Sequence, residues 1–134
     1  MLSFEKKIHI GILGAMPEEV NSFVDKLVDI KEFKFGDLRI FNGIWRPNKK
    51  TYNSASIHVS LAWSGWGKTS ASRAVTRMLS TKLIDIPVDM IIFTGVAGAT
   101  SSLLNQWDVV IADKIYQQDF QYVLHILEQV IIKT

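Results

Sequence analysis

Two adjacent glutamates, Glu18 and Glu19, stand where a short apolar run gives way to a helical pattern. A carboxylate held in a pocket acts as a general base or stabilises positive charge that develops during a reaction. Neighbouring helical residues point about 100° apart, so at most one of the two faces a pocket while the other faces solvent. In the alternative interpretation, both are solvated acids that complement the helix dipole.

Three turns rich in small residues accompany this pair: Gly14–Met16, Ser64–Gly67 and Gly95–Ala99. Each follows a predicted strand, and ligands of open α/β sheets bind beyond the carboxyl ends of the strands. Small residues let a ligand approach the backbone closely, so the three turns are candidates for one pocket. Alternatively, the glycines only make turns.

Two nucleotide-binding signatures are absent. The segment Gly11–Gly14, which leads into the first of these turns, lacks the spacing of a dinucleotide-binding fingerprint. Gly67-Lys68-Thr69 resembles the end of a phosphate-binding loop, but Ala62 stands where that loop needs its first glycine. The chain has no cysteine, and its three histidines lack ligand spacing. We therefore expect neither a cofactor nor a metal site.

Composition narrows the class of protein. The 134 residues are 48% hydrophobic and carry a formal net charge of +2, which fits one folded domain. Basic and acidic residues are interspersed, so the basic stripe of a nucleic-acid-binding protein is missing. The start of the chain has only a short apolar run, which predicts no signal peptide, no membrane span and a cytoplasmic location.

The hydrophobic pattern predicts alternating strands and helices. The predicted strands are Ile8–Leu13, Leu38–Trp45, Ser56–Trp63, Asp89–Thr94 and Trp107–Ala112, and the predicted helices are Pro17–Asp29 and Lys68–Leu83. Asp89–Thr94 has four consecutive apolar residues and is expected to be the most deeply buried strand. The order indicates an α/β fold with a sheet that is parallel except for one antiparallel hairpin.

Four segments carry a family resemblance. Gly11–Val20 (GILGAMPEEV) resembles the opening motif of the methylthioadenosine/S-adenosylhomocysteine nucleosidases. Ser64–Lys68 and Thr94–Ala99 are similar to two later turns of that family, and Trp107–Ala112 is similar to the strand that follows. The resemblance extends over residues 8–119, in the family's order, and covers about the first half of the family's length.

The resemblance implies a fold, a reaction and a site. The fold is the three-layer α/β sandwich of nucleoside phosphorylases and hydrolases, assembled as a homodimer. The reaction is hydrolysis of the bond between adenine and ribose, in which Glu19 positions and activates the attacking water. The substrate-binding residues implied by the motifs are Met16 at the ribose, Trp66 near the water and ribose, and Val96, Ala97 and Gly98 beside the nucleoside.

The chain also departs from the family. Gln118 replaces an expected histidine, and Trp107 replaces a glycine. No segment matches the Met-Glu pair that holds the ribose hydroxyls or the aspartate that protonates adenine. We therefore expect residues 1–119 to form the N-terminal half of a nucleosidase-like domain, truncated, and 120–134 to form an atypical amphipathic helix.

Three other functions remain open from the sequence. The first is a catalytically inactive remnant that binds nucleosides or a partner chain. The second is a phosphorylase of the same superfamily, which Glu19 and the absence of arginine at the three turns argue against. The third is an unrelated dinucleotide-binding domain, which the missing fingerprint disfavours.

Overall fold

The computed structural model describes residues 7–46, 57–80 and 84–117. The elements in chain order are β1 (Ile8–Gly14), α1 (Pro17–Val24), β2 (Leu27–Phe35), β3 (Leu38–Trp45), β4 (Ile57–Trp63), α2 (Lys68–Ser80) and β5 (Met90–Phe93). Contacts divide the chain into one unit from Met1 to Val96 and a second from Ala97 to Thr134. The predicted tail from Phe120, with Gln118, lies outside the described residues.

One mixed sheet of five strands, in the order β2-β3-β4-β1-β5, organises the first unit. β1 pairs in parallel with β4 on one side and with β5 on the other. β3 pairs antiparallel with β2 and with β4. The predicted α/β class is confirmed, and so is the predicted antiparallel hairpin, which β3 and β4 form.

Helices pack on both faces of this sheet, which makes three layers. Alternate residues of a strand point to opposite faces. On one face Ala74 and Met78 of α2 bury Leu13 and Ala62. On the other face Val20 of α1 packs in a cluster of buried residues whose other members are Leu27, Val59 and Leu61. Burial of these side chains is the main stabilising term for the unit.

The helix predicted to reach Asp29 ends five residues earlier, at Val24. The chain turns after Asp25, and the following residues form the unpredicted strand β2. Leu27 lies opposite Trp45 in the sheet, where its side chain is buried. The sheet therefore uses apolar residues whose spacing also suits a helix, and burial decides between the two.

Two strand predictions need correction. β5 forms where predicted, but among the described strands it lies at the edge of the sheet, and Met90 and Phe93 are 51% and 61% exposed. Residues 107–112 form no strand. Trp107 has a φ of 76°, which an extended strand does not allow, and Asp108 bonds back to the carbonyl of Asn105 in a turn.

The second unit has no helix or strand over its described part, residues 97–117. It contains local turns, such as the one in which Leu104 donates to the carbonyl of Ser101. Across the described ranges, no helix combines the length and the apolar character needed to cross a membrane. The predicted division at residue 119 stays a prediction.

Candidate active site

The carboxyl ends of three neighbouring strands form one edge of the sheet. β4, β1 and β5 are adjacent and parallel, so the turns that follow them meet there. Ser64 donates its backbone N–H to the carbonyl of Gly14 at 2.9 Å, and Gly65 donates to that of Ala15 at 3.0 Å. Thr94 donates to the carbonyl of Leu13 at 2.9 Å. The predicted convergence of the three turns is present for their residues up to Val96.

The first turn of α1 fixes Glu19 at this edge. Met16 is the N-cap and Pro17 opens the helix, where a missing N–H has no cost. Glu19 is the third helical residue, and its Oε2 accepts hydrogen bonds from the N–H groups of Ala15 at 2.7 Å and Met16 at 3.1 Å. The carboxylate thus bonds backward to amides that precede the helix, as in half of a capping box.

A third hydrogen bond connects Glu19 to a residue outside its own turn. Oε1 accepts a hydrogen bond of 3.1 Å from the N–H of Val96, in the turn after β5. One carboxylate therefore joins the first and third turns. A capping role explains the bonds to Ala15 and Met16 alone, and it gives no reason for a bond to Val96.

Backbone hydrogen bonds stabilise the charged form of this carboxylate. The N–H of Val96, followed by that of Met16, lowers the pKa of Glu19 below its ordinary value, and the amide of Ala15 adds to the effect. Partial burial opposes the shift and is outweighed. Glu19, which an ordinary pKa would already leave ionised at neutral pH, therefore keeps its negative charge further into the acid range.

Glu18 takes the other orientation. Its side chain is exposed, whereas that of Glu19 is half-buried. The helical geometry that separates adjacent side chains by about 100° accounts for the difference. Glu19 therefore contacts the first and third turns, whereas Glu18 faces solvent.

The other predicted site residues are less enclosed. Met16 is half-buried, while Trp66 and Val96 are 78% and 82% exposed. Ala97 and Gly98 belong to the second unit and are exposed there. Their part in a common site with Glu19 stays a prediction.

Sequence reasoning missed two contributors. Ala15 supplies the shortest of the amide bonds to Glu19, and a backbone donor leaves no side-chain signal. Gly95 lies against the Glu19 carboxyl group: a Cβ there would be 2.8 Å from Oε1. The available signal is a glycine directly before the predicted site residue Val96.

A second polar cluster is buried within the sheet. The His9 ring contacts the Ser60 hydroxyl through Nε2 and the carbonyl of Ile86 through Nδ1, both at 2.8 Å. Asn42 donates to the same hydroxyl at 3.0 Å. A carbonyl only accepts, so Nδ1 carries a proton, and in the neutral ring Nε2 accepts from Ser60. Within the described ranges no group of three or more side chains has the arrangement of a metal site.

Known proteins match most of this chain. A family model described as the phosphorylase superfamily matches residues 9–130. The 5'-methylthioadenosine/S-adenosylhomocysteine nucleosidase of Staphylococcus aureus (strain JH9) is 33% identical over 110 residues, which make up 82% of this chain and 42% of that protein. The chain thus spans less than half the length of this curated relative.

Solved structures of nucleosidases are also similar to this chain. The Streptococcus pneumoniae methylthioadenosine/S-adenosylhomocysteine nucleosidase, in complex with 8-aminoadenine, is similar with a TM-score of 0.65 and 29% identity, over 92% of this chain and 52% of the other. The S-adenosylhomocysteine nucleosidase of Streptococcus pyogenes, in complex with 5-methylthiotubericidin, gives a TM-score of 0.65 and 25% identity, over 96% and 52%.

Proposed function

The chain belongs to the phosphorylase superfamily, and from that membership we propose that its Glu19 site serves the hydrolysis of the bond between adenine and ribose in methylthioadenosine or S-adenosylhomocysteine. The observation that carries the proposal is the Glu19 carboxylate, held by backbone amides of two turns at the carboxyl edge of the sheet. The site lies where ligands of α/β sheets bind. An ionised carboxylate there suits a reaction that develops positive charge on a sugar.

The hydrogen bonds indicate which oxygen acts. A carboxylate has about four acceptor positions, two on each oxygen. The amides of Ala15 and Met16 take two on Oε2, and that of Val96 takes one on Oε1. The second position on Oε1 is the one we assign to the attacking water.

The reaction then follows from this placement. The water oxygen bonds to the anomeric carbon, the bond from that carbon to adenine breaks, and one water proton passes to Glu19. Adenine leaves with a proton of its own, which the family resemblance assigns to an aspartate without a match in these residues. Because the pKa of Glu19 is lowered, its carboxylate is a weak base. Its main contributions are to orient the water and to stabilise the cationic sugar.

Relatives indicate the substrate class. The Streptococcus pneumoniae and Streptococcus pyogenes structures hold 8-aminoadenine and 5-methylthiotubericidin. For the present chain we accordingly propose an adenine nucleoside as the substrate. Its proposed contacts are Met16, Trp66, Val96, Ala97 and Gly98. A homodimer and a cytoplasmic location belong to the same proposal. Analytical ultracentrifugation of the purified chain would test the dimer.

Phosphorolysis is the competing reaction. A phosphate at this edge would be repelled by ionised Glu19, and the three turns contain no arginine to hold it. To separate the reactions, the purified chain is incubated with methylthioadenosine with and without inorganic phosphate, and the sugar product is identified by mass spectrometry. We expect adenine and free methylthioribose at a rate independent of phosphate. Formation of a sugar phosphate, or a rate of adenine release that rises with phosphate, would contradict the proposal.

A further inference from the structure

Gly95 is the residue against which the Glu19 carboxyl group rests. A Cβ built on Gly95 would lie 2.8 Å from Oε1, 3.2 Å from Cδ and 3.3 Å from Oε2 of Glu19. These are its three nearest atoms, so all of the closest contacts come from one carboxyl group. Real Cβ atoms essentially never lie within 3.0 Å of a non-bonded heavy atom.

The backbone at Gly95 gives no other reason for a glycine. The described glycines with a left-handed φ are Gly36, Gly65 and Gly67, and Gly95 is not among them. An alanine at this position would therefore not meet the strain of the left-handed region. A side chain at position 95 would therefore occupy the space that the Glu19 carboxylate takes.

We propose that Gly95 is a positioning residue for Glu19: its lack of a side chain lets Oε1 reach the N–H of Val96 and keeps the other side of Oε1 open to water. The inference rests on the proposed function for the role of that water. The close approach of the Glu19 carboxyl group to Gly95 is given by the distances and does not depend on that role.

Gly14 provides a matched comparison within the same site. A Cβ there would lie 2.7 Å from Cγ1 of Val20 and 3.2 Å from both Cβ and Oε2 of Glu19. Val20 is fully buried and its branched side chain is stiff, so it has nowhere to move. The carboxylate beside Gly95 is the end of a flexible side chain and can rotate away. An added methyl should thus displace a functional group at Gly95 and disturb the core at Gly14.

The test compares Gly95→Ala with Gly14→Ala in the full chain. The pKa of Glu19 is followed by NMR of its side-chain carboxyl carbon, stability by urea denaturation and adenine release by chromatography. We expect Gly95→Ala to raise the pKa of Glu19 toward its ordinary value and to slow adenine release, with little loss of stability. Gly14→Ala should instead lower the urea midpoint.

Each result has a defined meaning. An unchanged pKa of Glu19 in folded Gly95→Ala would overturn the inference. A raised pKa with unchanged adenine release would leave Gly95 as the positioning residue and would contradict the proposed function. If Gly95→Ala does not fold, the comparison moves to Glu19→Ala with and without Gly95→Ala. Equal urea midpoints in that pair support the inference, and a further loss of stability overturns it.

Discussion

The Oε1 atom of Glu19 accepts a hydrogen bond of 3.1 Å from the backbone N–H of Val96, which lies 77 positions later in the sequence. The bond connects the turn after β1 to the turn after β5. It exists because the two strands are parallel neighbours and therefore end at the same edge of the sheet.

Acid should destabilise the fold partly through Glu19. The pKa of Glu19 is lowered from 4.5 in the folded chain. A lowered pKa contributes stability that is fully present above the unfolded value and is lost as the pH falls through the folded value. We expect the urea midpoint of unfolding to decrease as the pH is lowered below about 4.5, and we expect this decrease to be less steep in Glu19→Gln. Urea titrations at a series of pH values from neutral to acid would measure this.

A variant of Asp37 separates the contribution of Glu19 to the acid dependence from that of a second carboxylate. The Arg73 guanidinium donates two hydrogen bonds to Asp37 and lowers the pKa of that side chain. Asp37→Asn should remove a different part of the acid dependence, and the parts should add because the two sites are separate. The prediction is wrong if Glu19→Gln leaves the pH dependence as it is in the unmodified chain.

Gly11 should be required for packing rather than for a turn. A Cβ at Gly11 would overlap Cδ1 of Ile91 and would lie 2.6 Å from Sδ of Met78, so Gly11→Ala overpacks the layer between α2 and the sheet. We expect a loss of about 1–3 kcal/mol in the free energy of unfolding. Gly98→Ala is the control, because a Cβ there meets no atom within 4 Å. Equal stability of the two variants would refute the packing role.

Local patterns in the sequence predicted most of the sheet, and the family resemblance singled out Glu19 from the pair of glutamates. The apolar run of β1 and the proline at the start of α1 are local signals, and both predictions were confirmed. The strand β2 was missed because Leu27 and Val28 also continue the helical spacing of α1. The bond between Glu19 and Val96 depends on which strands become neighbours, and no short pattern contains that information.

Exposure was the harder property to predict. Four apolar residues in a row predicted a strand at β5, which is confirmed. They also predicted burial, and Met90 is half exposed because β5 is an edge strand among the described residues. At Trp107, a positive φ overrides the strand pattern of the residues that follow. Backbone conformation at one residue can thus cancel the preference of its neighbours.

The buried cluster around Ser60 should contribute to stability but not to the reaction. Ser60→Ala leaves His9 and Asn42 without their shared partner, and an unsatisfied buried polar group costs about 1–3 kcal/mol. Ser72→Ala on the exposed face of α2 is the control and should change stability by less than about 0.5 kcal/mol. Calorimetric unfolding of both variants would measure the difference. A Ser60→Ala variant as stable as the control would contradict this account of the cluster.

A polypeptide limited to these 134 residues should release adenine much more slowly than the Staphylococcus aureus nucleosidase. It contains Glu19 but no match for the family's adenine-protonating aspartate or its ribose-binding pair. General acid catalysis alone is typically worth about 10²–10⁴-fold in rate. Parallel assays with methylthioadenosine at equal protein concentration would compare the two proteins. Similar turnover by both would show that the unmatched residues are dispensable.

The most direct test of the account is adenine release by Glu19→Gln and Glu18→Gln, measured at high protein concentration over hours. Glutamine keeps the shape of each side chain and removes its charge. The account predicts that Glu19→Gln slows release by about 10²-fold or more, to the limit of detection, because an amide cannot take the proton of the water and the cationic sugar loses its counter-charge. It predicts that Glu18→Gln, altered at an exposed carboxylate, retains the rate of the unmodified chain. Release by Glu19→Gln at the unmodified rate would contradict the assignment of Glu19 as the residue that holds the attacking water.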